Sequence, residues 1–249
     1  MGMNALRLAG KIKFGVYDDS DVLGPIYDGG NTTELTLQAE GEDVEVVSTD
    51  YENHGAALDS MSDPKPTTGS WKINRFSAQT LALACAGDAT ALTAASAAKT
   101  KDDFVAALGE GERIATRPID TLVVKNAAET VTYVAGTDYE VNEQLAIVTP
   151  LAGGSIANGA TLHLAYNETD RTGFFEILGA TALGKKIWFG LDGRNLFNNK
   201  KITLVIDKLK LKPSGTLSFI GSDAAEQQFD FTCIVPDGET QAYKLWVQD

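Results

Sequence analysis

The chain has 249 residues, 43% of them apolar, with 34 Asp+Glu against 21 Lys+Arg and a net charge of −13. That apolar share fills a globular core in one large or two small domains, and the negative balance argues against tight binding to phosphate backbones, which needs concentrated positive charge. Two distant cysteines, Cys85 and Cys233, argue against a disulfide framework or a Cys-rich metal site and suit a reducing cytosol; no apolar window of roughly 18 residues predicts a membrane span or a leader.

In chain order, a short basic and apolar lead is followed by Asp18-Asp19-Ser20-Asp21. This resembles a calcium-loop fragment but lacks the glycine at the sixth position and the glutamate at the twelfth, so it reads as a solvated turn and no metal is expected. Thr33–Glu40 alternates polar and apolar residues and Asp43–Val46 resumes the pattern after Gly41. The alternation predicts a hairpin with a wet acidic face (Glu34, Thr36, Gln38, Glu40, Glu45) and a buried face (Leu35, Leu37, Val44, Val46). Val47–Gly69 holds Gly55, Pro64, Pro66 and Gly69 with little periodicity and reads as a long functional loop.

A strand is predicted over Ser70–Phe76, then a helix capped by Ser77 and closed by Gly87, an Ala/Thr-rich connection over Asp88–Thr100, and a second helix over Lys101–Leu108 with Phe104, Val105 and Leu108 on one side. Short predicted strands at 121–125, 129–134, 146–148 and 161–166 make residues 120–169 a small inserted β subdomain between 1–119 and 170–249. Further strands are predicted at 173–178, 201–211, 216–222, 229–235 and 243–247. The fold class is mainly β (α+β), with one or two flanking helices.

Charge is segregated along the chain. Residues 1–60 carry 12 acids and 3 bases, a net of −9, whereas residues 171–220 carry 3 acids and 9 bases, a net of +6. Two readings stand: the segments pair within the fold, or the basic residues Arg194, Lys200, Lys201, Lys208, Lys210 and Lys212 form a surface complementary to the acidic part of another copy.

Catalytic chemistry is poorly supplied. The two histidines, His54 in the loop and His163 in a predicted strand, have no evident partner, and no H-E-x-x-H or C-x-x-C spacing occurs. The pairs Gly29-Gly30 and Gly153-Gly154 precede β-type segments and read as turns, not phosphate cradles. Trp71, Trp188 and Trp246 suit core or edge packing, or stacking on a sugar. No enzymatic activity and no cofactor are expected.

The linear order carries a resemblance. The acidic hairpin opening Gly29-Gly30-Asn31-Thr32-Thr33-Glu34, the long loop with Gly55-Ala56-Ala57-Leu58-Asp59, then Trp71-Lys72-Ile73 and the alanine-rich helix ending at Gly87 resemble the major tail tube proteins of long-tailed bacteriophages. The stretch Val131 to Asn142, followed by Asn158-Gly159-Ala160-Thr161 and a strand ending Ala165-Tyr166, looks like a β module recurrent in phage tail proteins.

This resemblance implies a β-sandwich or half-barrel flanked by a helix, six copies to a ring, and rings stacked into a tube in the virion tail after assembly in the bacterial host cytoplasm. Implied partners are other copies, the tape measure, the tail terminator and distal tail proteins, with double-stranded DNA passing through unbound and no membrane. The Val47–Gly69 loop matches the family's inter-ring loop in position, which nominates Asp50, Tyr51, Glu52, His54, Leu58, Asp59, Met61 and Lys65. If the hairpin lines the bore, Glu34, Thr36, Gln38, Glu40 and Glu45 face it, because an acidic wall would not hold DNA. The rivals are a tail terminator, a contractile-tail tube subunit, or a β-sandwich carbohydrate-binding or adhesion module using the tryptophans.

Overall fold

The structure, a computed structural model, describes residues 5–248. In chain order the strands are β1 (Leu8–Tyr17), β2 (Leu23–Asp28), β3 (Thr32–Gln38), β4 (Gly41–Val47), β5 (Ala57–Pro64) and β6 (Thr68–Ile73); then come helix α1 (Ala78–Ala84), β7 (Asp88–Ala91), β8 (Ala97–Val105), β9 (Glu112–Arg113), β10 (Ile119–Asn126), β11 (Tyr139–Asn142), β12 (Ile147–Pro150) and β13 (Thr161–Glu168). The last are β14 (Phe175–Leu178), β15 (Lys185–Asn195), β16 (Lys201–Ser214), β17 (Gln227–Cys233) and β18 (Lys244–Val247). The fold is mainly β. Two compact units result: unit 1 joins residues up to Thr90 with those from Ile177 onward, and unit 2 is Ala91–Glu176. The chain leaves unit 1 along β7 and returns along β14, and these two strands pair.

Unit 1 is built on one sheet in the order β2-β1-β15-β16-β17-β6-β3, with β18 also beside β16. β16 is long enough to take two partners on one edge: Ile202–Val205 lie opposite Val247–Lys244, and Leu209–Ser214 opposite Cys233–Gln228. The outermost strands, β2 and β3, are joined only by Gly29, Gly30 and Asn31, so the sheet must curl until its two ends meet. That closure leaves no room for side chains at the joint. A Cβ on Gly29 would lie 2.9 Å from Ile12 Cγ2, and one on Gly30, already at φ +76°, would lie 2.2 Å from the Arg75 carbonyl oxygen.

The inside of the curl is aromatic. Trp71 of β6 is fully buried and reaches across to Phe14 of β1 and Phe189 of β15, with ring centroids 5.9 and 5.5 Å away, and it stacks on Phe229 of β17 at 5.1 Å. Burying about 200 Å² of indole at about 25 cal/mol/Å² contributes roughly 5 kcal/mol. Ile12, Ile73, Ile187, Ile206, Leu209, Leu211 and Phe231 complete this core, and Leu83 of α1 joins it.

Helix α1 begins as expected. The Ser77 side chain accepts from the Thr80 N–H at 3.2 Å, and the Thr80 hydroxyl accepts from the Ser77 N–H at 2.8 Å. Its end differs in detail. Ala86 takes the left-handed conformation (φ 50°), while the N–H groups of Ala86 and Gly87 donate to Leu83 and Ala82. Gly87 is required for another reason: its Cβ would lie 2.1 Å from the Leu178 carbonyl oxygen.

Unit 2 has its own core beneath two three-stranded sheets, β10-β13-β8 and β11-β12-β9. Phe104, Ile119, Val124, Tyr139, Val148, Leu162, Leu164 and Tyr166 fill it. Arg117 forms an ion pair with the buried Glu168 and donates to the Ala95 carbonyl, tying the chain before β10 to β13.

Several sequence expectations are corrected. Lys101–Leu108 is not a helix: its first five residues end β8, which pairs with β13 and places buried Phe104 opposite Leu162. β3 and β4 do not form a hairpin together; β3 pairs with β6 and β4 with β5. Leu35 packs on the core, but Leu37, Val44 and Val46 are exposed. About a third of the expected Val47–Gly69 loop is strand β5, leaving Ser48–Ala56 as the true tip. The expected strands at 129–134 and 216–222 do not form, apart from one bridge between Lys125 and Thr132, whereas β1, β2 and β15 were not anticipated.

Candidate functional site

Strands β4 and β5 stand apart from the eight-stranded sheet and pair only with each other. Every residue in both is exposed. Opposite pairs share a face, so Val44 with Met61, flanked by Val46, makes an apolar strip edged by Glu42, Asp59 and Asp63. Val46 is 57% exposed, Met61 59%, and Tyr51 at the tip is fully exposed. Residues 41–64 hold Glu42, Asp43, Glu45, Asp50, Glu52, Asp59 and Asp63 and no Lys or Arg, a net of −7. A lone two-stranded ribbon is marginal in water, and this one puts apolar side chains where none of the described residues covers them.

The residues nominated for an inter-ring loop all belong to this ribbon or its base. Asp50, Tyr51, Glu52 and His54 lie in the tip, which Ser48 closes through backbone hydrogen bonds with Ala56 and Gly55. Leu58, Asp59 and Met61 lie on β5, and Lys65 at the base pairs with Glu42 at 3.0 Å.

A second surface gathers at the turn between β15 and β16. The Leu196 N–H donates to the Arg7 carbonyl at 2.8 Å, and the buried Asn195 amide donates to Ala5 at 3.1 Å. The Gln248 N–H donates to the Lys201 carbonyl at 3.0 Å, while the Lys201 N–H donates to the Gln248 side chain at 3.1 Å. These bonds bring exposed Leu6, Leu8, Leu196, Phe197 and Val247 together with Arg7, Arg194, Lys200 and Lys201. The three stretches 5–8, 194–201 and 245–248 contain four bases and no acid, a net of +4. Sequence reasoning found the bases but missed the apolar partners; the only signal was Leu196-Phe197 set among Asn195, Asn198 and Asn199.

The other nominated bases lie elsewhere. Lys208 is held by Asp21 at 3.3 Å and sits over the Tyr17 ring; Asp21 also takes Lys186 at 2.9 Å. Hydrogen bonds from Lys186 and then Lys208 hold the Asp21 carboxyl below its ordinary value. Part of the opposite-sign charge is therefore paired within the fold. Lys210 and Lys212 alternate with buried Leu209 and Leu211 and emerge on the outer face of the sheet.

That outer face also carries Glu34, Thr36 and Gln38. Thr36 is hydrogen-bonded to Ser70 at 2.8 Å, Glu34 lies opposite Lys72, and Lys72 pairs with Glu226 at 2.6 Å. A groove of about 780 Å³ runs here past Thr36, Gln38, Ser70, Lys210, Lys212 and Asp230. The five residues expected on one acidic face thus divide: three share a mixed-charge face, Glu40 sits between β3 and β4, and Glu45 is on the ribbon.

Among the described residues, no three or more His, Cys, Asp or Glu side chains are placed to hold a metal ion, and no helix is long and apolar enough to cross a membrane. His163 lies on β13 in unit 2 with Nδ1 2.5 Å from Asp102. Asp18 accepts from the Ser20 and Val22 N–H groups, the turn its sequence suggested. Trp71 is wholly buried and cannot stack on a sugar; Trp188 is half-buried on β15 and Trp246 is exposed on β18.

A family model described as a protein of unknown function, UCP028589, matches residues 6–241, and the chain belongs to that family. No curated protein matches the chain.

Proposed function

We propose that this protein is a structural, non-enzymatic subunit of a phage tail tube, assembling as rings, six copies each, stacked into a hollow conduit for genome passage. The reading starts from the sequence resemblance, and the observation that carries it is the β4–β5 ribbon. Two wholly exposed strands with uncovered Val44, Val46 and Met61 are a poor way to end a monomer and a good way to meet another copy. Heterologous contacts that do not close build filaments, and contacts that close build rings. The tape measure, tail terminator and distal tail proteins are the further partners of this reading, with the virion tail as its location.

The bore needs a wall that does not hold DNA. Among the described residues, Lys210 and Lys212 take part in no ion pair, and they line one groove with Thr36 and Gln38. Free lysines would add affinity for passing phosphates, so we do not assign that face to the bore.

Negative-stain electron microscopy and sedimentation velocity of the purified chain test the proposal. Rings or tubes growing with concentration are expected. A monodisperse monomer throughout the micromolar range overturns it.

A further inference from the structure

The ribbon of one copy and the basic apolar surface of unit 1 match each other in two independent properties. The ribbon holds seven acids and no base with exposed Val44, Val46, Leu58 and Met61; the surface at the β15–β16 turn holds four bases and no acid with exposed Leu6, Leu8, Leu196 and Phe197. Neither is satisfied by the described residues of its own chain. Among the described residues, the ribbon's one ion pair is Glu42 with Lys65 at its own base, and Arg7, Arg194, Lys200 and Lys201 enter none. By contrast Lys186 and Lys208, elsewhere in the same basic segment, have an intrachain partner in Asp21, which lies outside the ribbon.

We infer that the β4–β5 ribbon of one copy docks on the surface formed by Ala5–Leu8, the β15–β16 turn and the β18 end of a second copy. The inference rests on the self-assembly reading and specifies its contact. Opposite charge steers the approach and fixes which surface meets which, and burial of the two apolar strips holds the pair. Because the two surfaces differ, the contact is head-to-tail, each copy giving a ribbon and receiving one, and it propagates without limit unless the rotation closes a ring.

Two charge-reversed proteins test this. The first carries E45K, D50K, E52K, D59K and D63K, which take the ribbon from −7 to +3, so its ribbon and its receiving surface are both basic. The second carries R194E, K200E and K201E, so both are acidic. All eight side chains are exposed or half-exposed and outside any ion pair, and unchanged circular dichroism and melting confirm folding. Each variant alone is expected to associate roughly 10- to 100-fold more weakly than the unaltered chain, and mixing the two is expected to restore assembly with the variants alternating. Unaltered chain that assembles while either variant alone assembles equally well, or while the mixture stays dispersed, overturns the docking but leaves the tube reading standing. An unaltered chain that never assembles overturns both.

Discussion

Asp138 of unit 2 is nearly enclosed by the loop it organises. One carboxylate oxygen accepts from the Val134 N–H at 2.8 Å and the other from the Ser155 N–H at 2.7 Å. A Cβ on Gly154 would meet the Asp138 Cα at 2.7 Å, so the glycine is there for close approach to this loop. The backbone N–H groups of Ser155 and then Val134 favour the ionised form and hold its pKa below the ordinary value. A carboxyl depressed in the folded state contributes stability above its unfolded pKa of about 4, and that contribution is lost as pH falls through the lower folded value. Urea unfolding of unit 2 should therefore show stability dropping below about pH 4, whereas Asp138→Ala should be less stable at pH 7 and flatter in acid. The sequence showed Asp138 inside a recognisable run and Gly153-Gly154 as a turn. It did not show that the two were one device, because the contact joins residues 17 apart across a fold.

Elements were legible where local chemistry alone decides them and obscure where a partner decides them. Ser77, Thr80 and the alanine-rich run specify α1 without help, so the helix was readable to within a residue or two. Alternation identified β3 and β4 as strands, but alternation says nothing about which strand lies alongside. β5, reading Ala57-Leu58-Asp59-Ser60-Met61-Ser62-Asp63-Pro64, is poor in β-branched residues and looks like loop until β4 is beside it. β1 failed for the opposite reason: Ile12, Phe14 and Val16 alternate well, but the glycines and lysines between them resembled a leading segment. The ribbon itself buries nothing but Ser48 at its tip. Replacing residues 41–64 with a tight turn should shift the thermal midpoint by no more than about 4 °C, while rings and tubes disappear from micrographs. A large loss of thermal stability would show that the ribbon supports the sheet and was misjudged as an assembly element.

At the scale of the whole molecule, two cores account for the two units. The inserted region expected at 120–169 lies within unit 2, which begins earlier, at Ala91, because β8 supplies an edge of its sheet and Phe104 a part of its core. Segment charge gave the right arithmetic but could not say which opposite charges meet: Asp21 with Lys186 and Lys208 is an internal pairing, while among the described residues the ribbon pairs only Glu42, with Lys65 at its base, and the bases of the β15–β16 turn enter no ion pair. Unit 2, at Ala91–Glu176, is large enough to bury a core, so residues 91–176 expressed alone should unfold cooperatively with a strand-rich circular dichroism spectrum. A non-cooperative melt would mean that its core depends on the rest of the chain.

The paired strands β7 and β14 give the outgoing and returning chain a common doorway about 5 Å wide, one strand spacing. Whatever is threaded through that doorway makes no demand on the length of any strand in the curled sheet, which sees only two neighbouring chain ends. The site is therefore a natural cassette. A foreign domain with adjacent termini could be spliced in between β7 and β14, carried by every copy of the proposed assembly.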